Sequence, residues 1–243
     1  MSKTLNAEYK ALPSLSPYIK SSRYTTPKED HKFFGQKLKE KVDPAQTLSV
    51  VDVGCGNGEL LYYLKNQFPH WLLTGYDFTQ EFIETGNKFE GLSGVKLIHM
   101  DMFDIVEKYD IVLCDGVIQI FSDIHKPLEK IISICKKDGY ALITGLFNKF
   151  DIEVRLQFCD NSNPASKNIW RADFNQHSQQ SIRRLIQKKV SSIEFESVVM
   201  DKDLPLNADM PLWNYTFRDA NNKNIITNGL NIIANKTMLI INK

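Results

Sequence analysis

From about residue 48 onward, short runs rich in β-formers alternate with stretches whose apolar positions recur at helical spacing. The runs are Leu48–Val53, Trp71–Tyr76, Val95–His99, Ile111–Cys114 and Tyr140–Thr144. Between them, Leu60, Leu61, Leu64 and Phe68 share one helical face, and Leu128, Ile131, Ile132 and Cys135 share another. Pro127 near the start of that second helix, Lys136 and Lys137 in its last turn and Gly139 as a stop predict its limits. Strands separated by helices predict βαβ units, right-handed crossovers and a parallel sheet.

The flanks read differently. Residues 1–45 hold a polar, Tyr-bearing stretch and then a predicted helix near Glu29–Val42 with Phe33, Phe34 and Leu38. Residues 147–177 interrupt the alternation with a polar segment. A helix is predicted over about Ser178–Val190, with Ser178 as N-cap. Two last strands are expected near Ile193–Val199 and Thr237–Ile241, and the Asn-rich stretch between them reads as a set of turns.

Composition narrows the partners. The chain has 243 residues with 30 Lys+Arg against 29 Asp+Glu, a formal charge of +1, which argues against a protein built on nucleic-acid phosphates. No apolar run reaches the ~18 residues needed to span a bilayer, and the first residues lack the apolar stretch of a secretory signal. Cys55, Cys114, Cys135 and Cys159 form no CxxC pair, so zinc and redox motifs are unsupported and no metal site is expected. These features predict a cytoplasmic protein with no nucleic-acid or membrane partner; its oligomeric state is not legible.

The strongest chemical signal is Val50–Glu59, VVDVGCGNGE, where a strand runs into glycines at 54, 56 and 58 and a helix begins at once. Glycines there admit positive φ and bring a ligand against bare backbone, while the helix start offers free N–H groups. A dinucleotide fingerprint would need Gly at position 59, where this chain has Glu59. A carboxylate in that turn sits badly against a pyrophosphate, so the loop favours a ligand without phosphates. An NAD-dependent oxidoreductase fails on this spacing.

DVGCGNG resembles motif I of the class I S-adenosylmethionine-dependent methyltransferases. Further landmarks follow in order: Asp77 with Phe78 in TGYDFT, Asp101 with Met102 in IHMDMFD, YDIVLCDGVIQIF, and KKDGYALITG. The resemblance covers residues 46–146 well and the last two strands loosely. It implies a Rossmann-like, doubly wound, seven-stranded sheet, mostly parallel with one antiparallel strand at the C-terminal end. It also implies a lid and helix over 1–45, a methyltransferase domain over 46–243 and a substrate-recognition insert at about 147–177. The cofactor implied is S-adenosylmethionine, with S-adenosylhomocysteine as product. Its binding residues would be Asp52, Gly54, Cys55, Gly56, Asn57, Gly58, Asp77, Phe78, Asp101, Met102 and Asp115. Asp77 would hold the ribose hydroxyls, Asp101 and Met102 would bracket the adenine, and Asp52 would lend negative charge near the cationic end. Taken singly, each Asp is equally a strand-end turn former.

The acceptor side is less explicit. The small-molecule branch of the family often carries a His pair after strand four, and here those positions are Gln119 and Ile120. Gln119 remains a candidate hydrogen-bond partner for a substrate, and His125 either acts there or flanks the helix at Pro127. His31 and His70 read as surface residues, His99 and His177 as structural ones. Tyr18 and Tyr24 in the lid either face the substrate or anchor the arm. Arg155 and Trp170 in the insert are candidate substrate contacts, Arg155 suiting a phosphate or carboxylate or else lying solvated. CDGV replaces the (D/N)PPY of the amino-methylating DNA enzymes and of many RNA and protein ones. The expectation is a methyltransferase acting on N or O of a small metabolite, by analogy a cell-surface sugar or phosphorylated amino-alcohol precursor. The alternative is a non-catalytic sensor or scaffold that binds S-adenosylmethionine.

Overall fold

The computed structural model describes residues 23–161, 164, 167–198, 202–207, 213–234 and 236–243. Tyr18 and the first half of the expected lid lie outside them.

A helix, α1 (Glu29–Lys41), precedes the sheet. Then come β1 (Ser49–Val53), α2 (Glu59–Gln67), β2 (Leu72–Asp77), α3 (Gln80–Asn87), β3 (Lys96–His99), β4 (Tyr109–Asp115), α4 (His125–Ile134) and β5 (Cys135–Asn148). The remainder is β6 (Gln157–Phe158), β7 (Arg171–Ala172), β8 (Gln176–Ser178), α5 (Gln179–Ile186), β9 (Ser192–Ser197), β10 (Tyr215–Arg218), β11 (Asn224–Thr227) and β12 (Lys236–Asn242). The main sheet has the order β3-β2-β1-β4-β5-β12-β9, and β12 runs antiparallel to both of its neighbours. An eighth strand, β8, pairs in parallel with the far end of β5. It draws the end of the expected insert into the main sheet.

Alternation along the strands divides the core. Val51, Val53, Val112, Cys114, Ile143 and Leu239 pack on one face with α4 and α5, through Leu128, Ile131, Ile182 and Ile186. Val50, Ile111, Leu113, Leu142 and Ile240 pack on the other with α1 and α2, through Phe34, Leu38, Leu61 and Leu64. A sheet covered on both faces needs apolar residues at consecutive positions, which is why its strands read as unbroken apolar runs. Ser178 caps α5 as expected, its hydroxyl accepting from the amides of Gln180 and Ser181.

Three expectations are corrected. The helix α4 stops at Ile134, so Lys136, Lys137 and Gly139 lie in β5. There Asp138 adopts φ +63°, and the chain turns into the strand several residues sooner than the lysines suggest. The Asn-rich tail holds an antiparallel hairpin, β10–β11, followed by Asn228 with no exposed surface. His31 is not a surface residue: it is 2% exposed on the buried face of α1, where it faces Asp115.

Candidate functional site

The strand order reverses at β1, flanked by β2 on one side and β4 on the other, and open α/β sheets bind ligands beyond the strand ends at that point. The glycine loop leaves β1 there. Gly54 has φ +78°, and a Cβ on it would come within 2.3 Å of the Val117 Cγ2, so the loop after β4 lies directly against it. Gly58 starts α2 in the left-handed region at φ +89°. The amides of Gly54 and Cys55 both donate to the Tyr76 carbonyl, tying the loop to the end of β2.

Asp77 closes the arrangement from the end of β2. One carboxylate oxygen accepts from the Gly56 amide at 2.9 Å and the other from the Thr79 amide at 2.8 Å. Burial raises its pKa, and those two amides partly counter the rise. Asp52 is buried with one carboxylate oxygen unpaired among the described residues. Its pKa is pushed well up, first by burial and then by the charges of Asp115 and Asp77. Cys55 turns its thiol into the core against Gly75, where it also donates to the Gly56 carbonyl at 3.5 Å. The Asn57 carbonyl accepts from the Tyr24 hydroxyl at 2.7 Å, and its side-chain amide nitrogen is buried without a partner among the described residues.

Asp101 caps the 3-10 turn Met102–Asp104, accepting from the Phe103 amide. Met102 is buried in the core next to it, while Phe78 stands 38% exposed at the end of β2. The His99 ring pairs with the Phe78 carbonyl, which holds the ends of β2 and β3 together.

Asp115, at the end of β4, accepts from the Thr144 hydroxyl at 2.5 Å and from the Lys236 ammonium at 3.4 Å. Lys236 also pairs with Asp30 of α1. Burial alone would raise Asp115, but the Lys236 and Lys28 ammonium groups and the Thr144 hydroxyl outweigh it and hold the carboxyl well below the usual range. Burial likewise disfavours charge on Lys236, and Asp115 and Asp30 reverse that. The His31 imidazole is held neutral, with a pKa of about 3, by burial and by the nearby cation Lys28 against the pull of Asp115. Asp30 and His31 each keep one buried polar atom unpaired among the described residues. Asp30 and Asp115 thus share one largely buried cation, Lys236, and Asp52 and Asp77 add two buried carboxyl groups at the strand ends around the loop.

The predicted acceptor residues are dispersed. Tyr24 does not stand free: besides its bond to Asn57 it stacks on Phe89 at 3.8 Å between ring centroids, and burial and Glu59 push its phenol up to about 12. Glu59 accepts from the Arg23 amide and pairs with Lys28, so the carboxylate at the position that excludes a dinucleotide holds the N-terminal arm. His125 is exposed at the start of α4 and pairs with Glu129. Arg155 is exposed, and Trp170 is 68% exposed. Gln119, in the 3-10 turn Ile118–Ile120, hydrogen-bonds through its side chain to Asp173 of the insert. Asp173 is absent from the sequence reading, since nothing local marks it out. His177 is buried and paired with Glu153. No group of three or more metal-ligating side chains occurs among the described residues.

Glycine loop, switch point and strand-end carboxylates define a Rossmann-like nucleotide-cofactor protein. A family model described as a methyltransferase domain matches residues 45–190, more than half of the chain. The chain therefore belongs to the methyltransferase-domain family, of the class I, S-adenosylmethionine-dependent type. The malonyl-[acyl-carrier protein] O-methyltransferase of Acetivibrio thermocellus is 29% identical over 100 residues, covering 40% of this chain and 35% of that one. The tRNA U34 carboxymethyltransferase of Campylobacter fetus is 32% identical over 136 residues, covering 50% of this chain and 44% of that one. The chain thus spans less than half the length of these two curated relatives. In fold it is similar to the plantazolicin methyltransferase BpumL, solved with a monoazolic desmethylPZN analogue and SAH, at a TM-score of 0.56 and 16% identity over 94% of this chain and 88% of that one.

Proposed function

We propose that the chain transfers a methyl group from S-adenosylmethionine to N or O of a small metabolite, a cell-surface sugar or phosphorylated amino-alcohol precursor being the chemistry tested first. The observation that carries the reading is the excess of buried carboxylate around the glycine loop. A ligand with a sulfonium, an ammonium and a single carboxylate satisfies that excess, and a pyrophosphate does not. Asp77 is already oriented by two amides and keeps lone pairs for two ribose hydroxyls, and charge assistance makes such bonds strong. Asp101, Met102 and Phe78 are assigned to the adenine, and Asp52, Asp115 and the loop 54–58 to the sulfur and amino-acid end. S-adenosylmethionine supplies an electrophilic methyl group. The protein supplies alignment and a dry site, since in-line displacement needs little else beyond removal of the acceptor's proton.

We take residues 1–45 as a cover for this site and 147–177 as its acceptor-recognition element. The anchoring of Arg23, Tyr24 and Lys28 to the glycine loop supports the first assignment. Methyl transfer from S-[methyl-14C]adenosylmethionine tests the reading, with glucosamine, UDP-N-acetylglucosamine, phosphoethanolamine and a bulk tRNA fraction as acceptors. Label should appear in one of the small acceptors and not in tRNA. Label in tRNA alone would replace the small-molecule reading. Binding of the cofactor with transfer to none of the acceptors would favour the sensor.

A further inference from the structure

A buried asparagine ties the insert to the loop after β4. Asn175, which has no exposed surface, donates its backbone amide and its side-chain amide to the Gln119 carbonyl, at 3.0 and 2.9 Å. Its side-chain oxygen accepts from the Leu156 amide at 2.9 Å. Three segments distant in sequence therefore meet at one residue. The residue before it, Phe174, takes φ +58°, a conformation that costs a bulky side chain energy and persists only where its surroundings enforce it. That turn directs the Asp173 carboxylate to the Gln119 side chain.

The other side of the 3-10 turn fixes where this pair lies. Val117 fills the space over Gly54, and Ile118 is fully buried against Gly145 of β5. The next side chain, Gln119, two residues after the Val117 that packs on Gly54, hydrogen-bonds to Asp173 of the insert. Asp173 is thus an acid held against the loop after β4 by a strained turn, a buried staple and a positioned amide.

We infer that the Asp173 carboxylate receives the proton released by the methyl acceptor, that Gln119 is the positioning residue that holds it, and that the acceptor is consequently an alcohol or an amine rather than a carboxylate. The inference rests on the methyltransferase reading above. In the step, the acceptor's O or N forms its bond to the methyl carbon while the carbon–sulfur bond breaks, its electron pair staying on sulfur, and the acceptor's proton passes to an Asp173 oxygen. The sulfonium's positive charge and the carboxylate's negative charge disappear together. A carboxylate acceptor has no such proton to give and would be repelled by Asp173.

Burial raises the Asp173 carboxyl to about 6, with the Phe174 amide, Arg171 and Gln119 opposing the rise. A base with that pKa is ionised at neutral pH and is still basic enough to accept a proton there. The charged group acting on it among the described residues is Arg171, which lies over the Phe158 ring at 4.6 Å. Gln119, from the facing turn, is neutral, so the ionisation follows from burial and these two neighbours.

The test combines a titration with kinetics. In protein labelled with 13C at the Asp carboxyls and saturated with S-adenosylhomocysteine, the resonance missing from Asp173→Asn should titrate near pH 6. In Gln119→Leu it should titrate higher, because the lost hydrogen bond favoured the ionised form. With whichever of glucosamine, UDP-N-acetylglucosamine or phosphoethanolamine is methylated, Asp173→Asn should lower kcat by about 100-fold or more, with KM changed less than about threefold. It should also abolish the acid limb of the pH profile while S-adenosylhomocysteine still binds as in the wild type. Malonate should not be methylated. An Asp173 resonance titrating near 4, a midpoint unmoved by Gln119→Leu, or full turnover in Asp173→Asn would overturn the inference. Failure of the wild type to bind S-adenosylhomocysteine would defeat the methyltransferase reading instead, which keeps the two failures distinct.

Discussion

Asp77→Ala should lose about 100-fold or more of its affinity for S-adenosylhomocysteine, measured by isothermal titration, while the protein stays folded. The proposed ribose site puts two charge-assisted hydrogen bonds at stake, each worth about 1.5–3 kcal/mol when the acceptor is ionised. The carboxylate also holds the Gly56 amide at 2.9 Å, so its removal loosens the loop as well as the ribose contact. Asp77→Asn separates the two effects. It keeps an oxygen for one of the amides and removes the charge, and it should fall between the wild type and Asp77→Ala. Burial disfavours the ionised form of Asp77, so neither substitution should unfold the protein, and the melting temperature should change little or rise. Unchanged affinity in Asp77→Ala would show that the ribose lies elsewhere.

The largest expected effect on stability belongs to Lys236→Met. Lys236 is the ammonium between Asp30 of α1 and Asp115 of β4, with its side chain only 17% exposed. Removing one member of a buried ion pair leaves its partners charged and unsolvated, at a cost of about 3–5 kcal/mol. Here two carboxylates are left, on an N-terminal helix and on a central strand. A domain of this size loses about 2–4 °C of melting temperature per kcal/mol, so the melt should move down by about 10 °C. Adding Asp30→Asn to Lys236→Met should restore part of the loss, because it removes one stranded charge. If the single variant melted like the wild type, the cluster would be solvated and its electrostatic account wrong.

Legibility in the sequence followed how local each cause is. The five inner strands of the main sheet announce themselves because they are buried on both faces, so Val50, Val51 and Val53 or Leu239, Ile240 and Ile241 stand side by side as apolar residues, while the edge strands β3 and β9 are more exposed. The glycine loop and the strand-end carboxylates were legible for a similar reason: loop, helix start and Asp77 follow one another within a single βαβ unit. What escaped depends on contacts between distant segments. His31 looked solvated because its neighbours in sequence are charged, yet α1 packs it beneath Asp115 and Lys236, more than 80 and 200 residues away. Lys136 and Lys137 resemble a helix end, but the chain has already turned at Cys135 to pair with Tyr109. Asp173 carries no local signal at all, and it meets Gln119 where Asn175 binds the insert to the loop after β4. The short β8 and the β10–β11 hairpin were missed because strands of three or four residues leave too little alternation to detect.

The central claim is that the glycine loop and its carboxylates form a site for a sulfonium cofactor and not for a dinucleotide. Isothermal titration of the wild-type protein with S-adenosylmethionine, S-adenosylhomocysteine and NAD in parallel tests it most directly. The account predicts saturable binding of the first two and none of NAD; NAD binding with comparable affinity would contradict it.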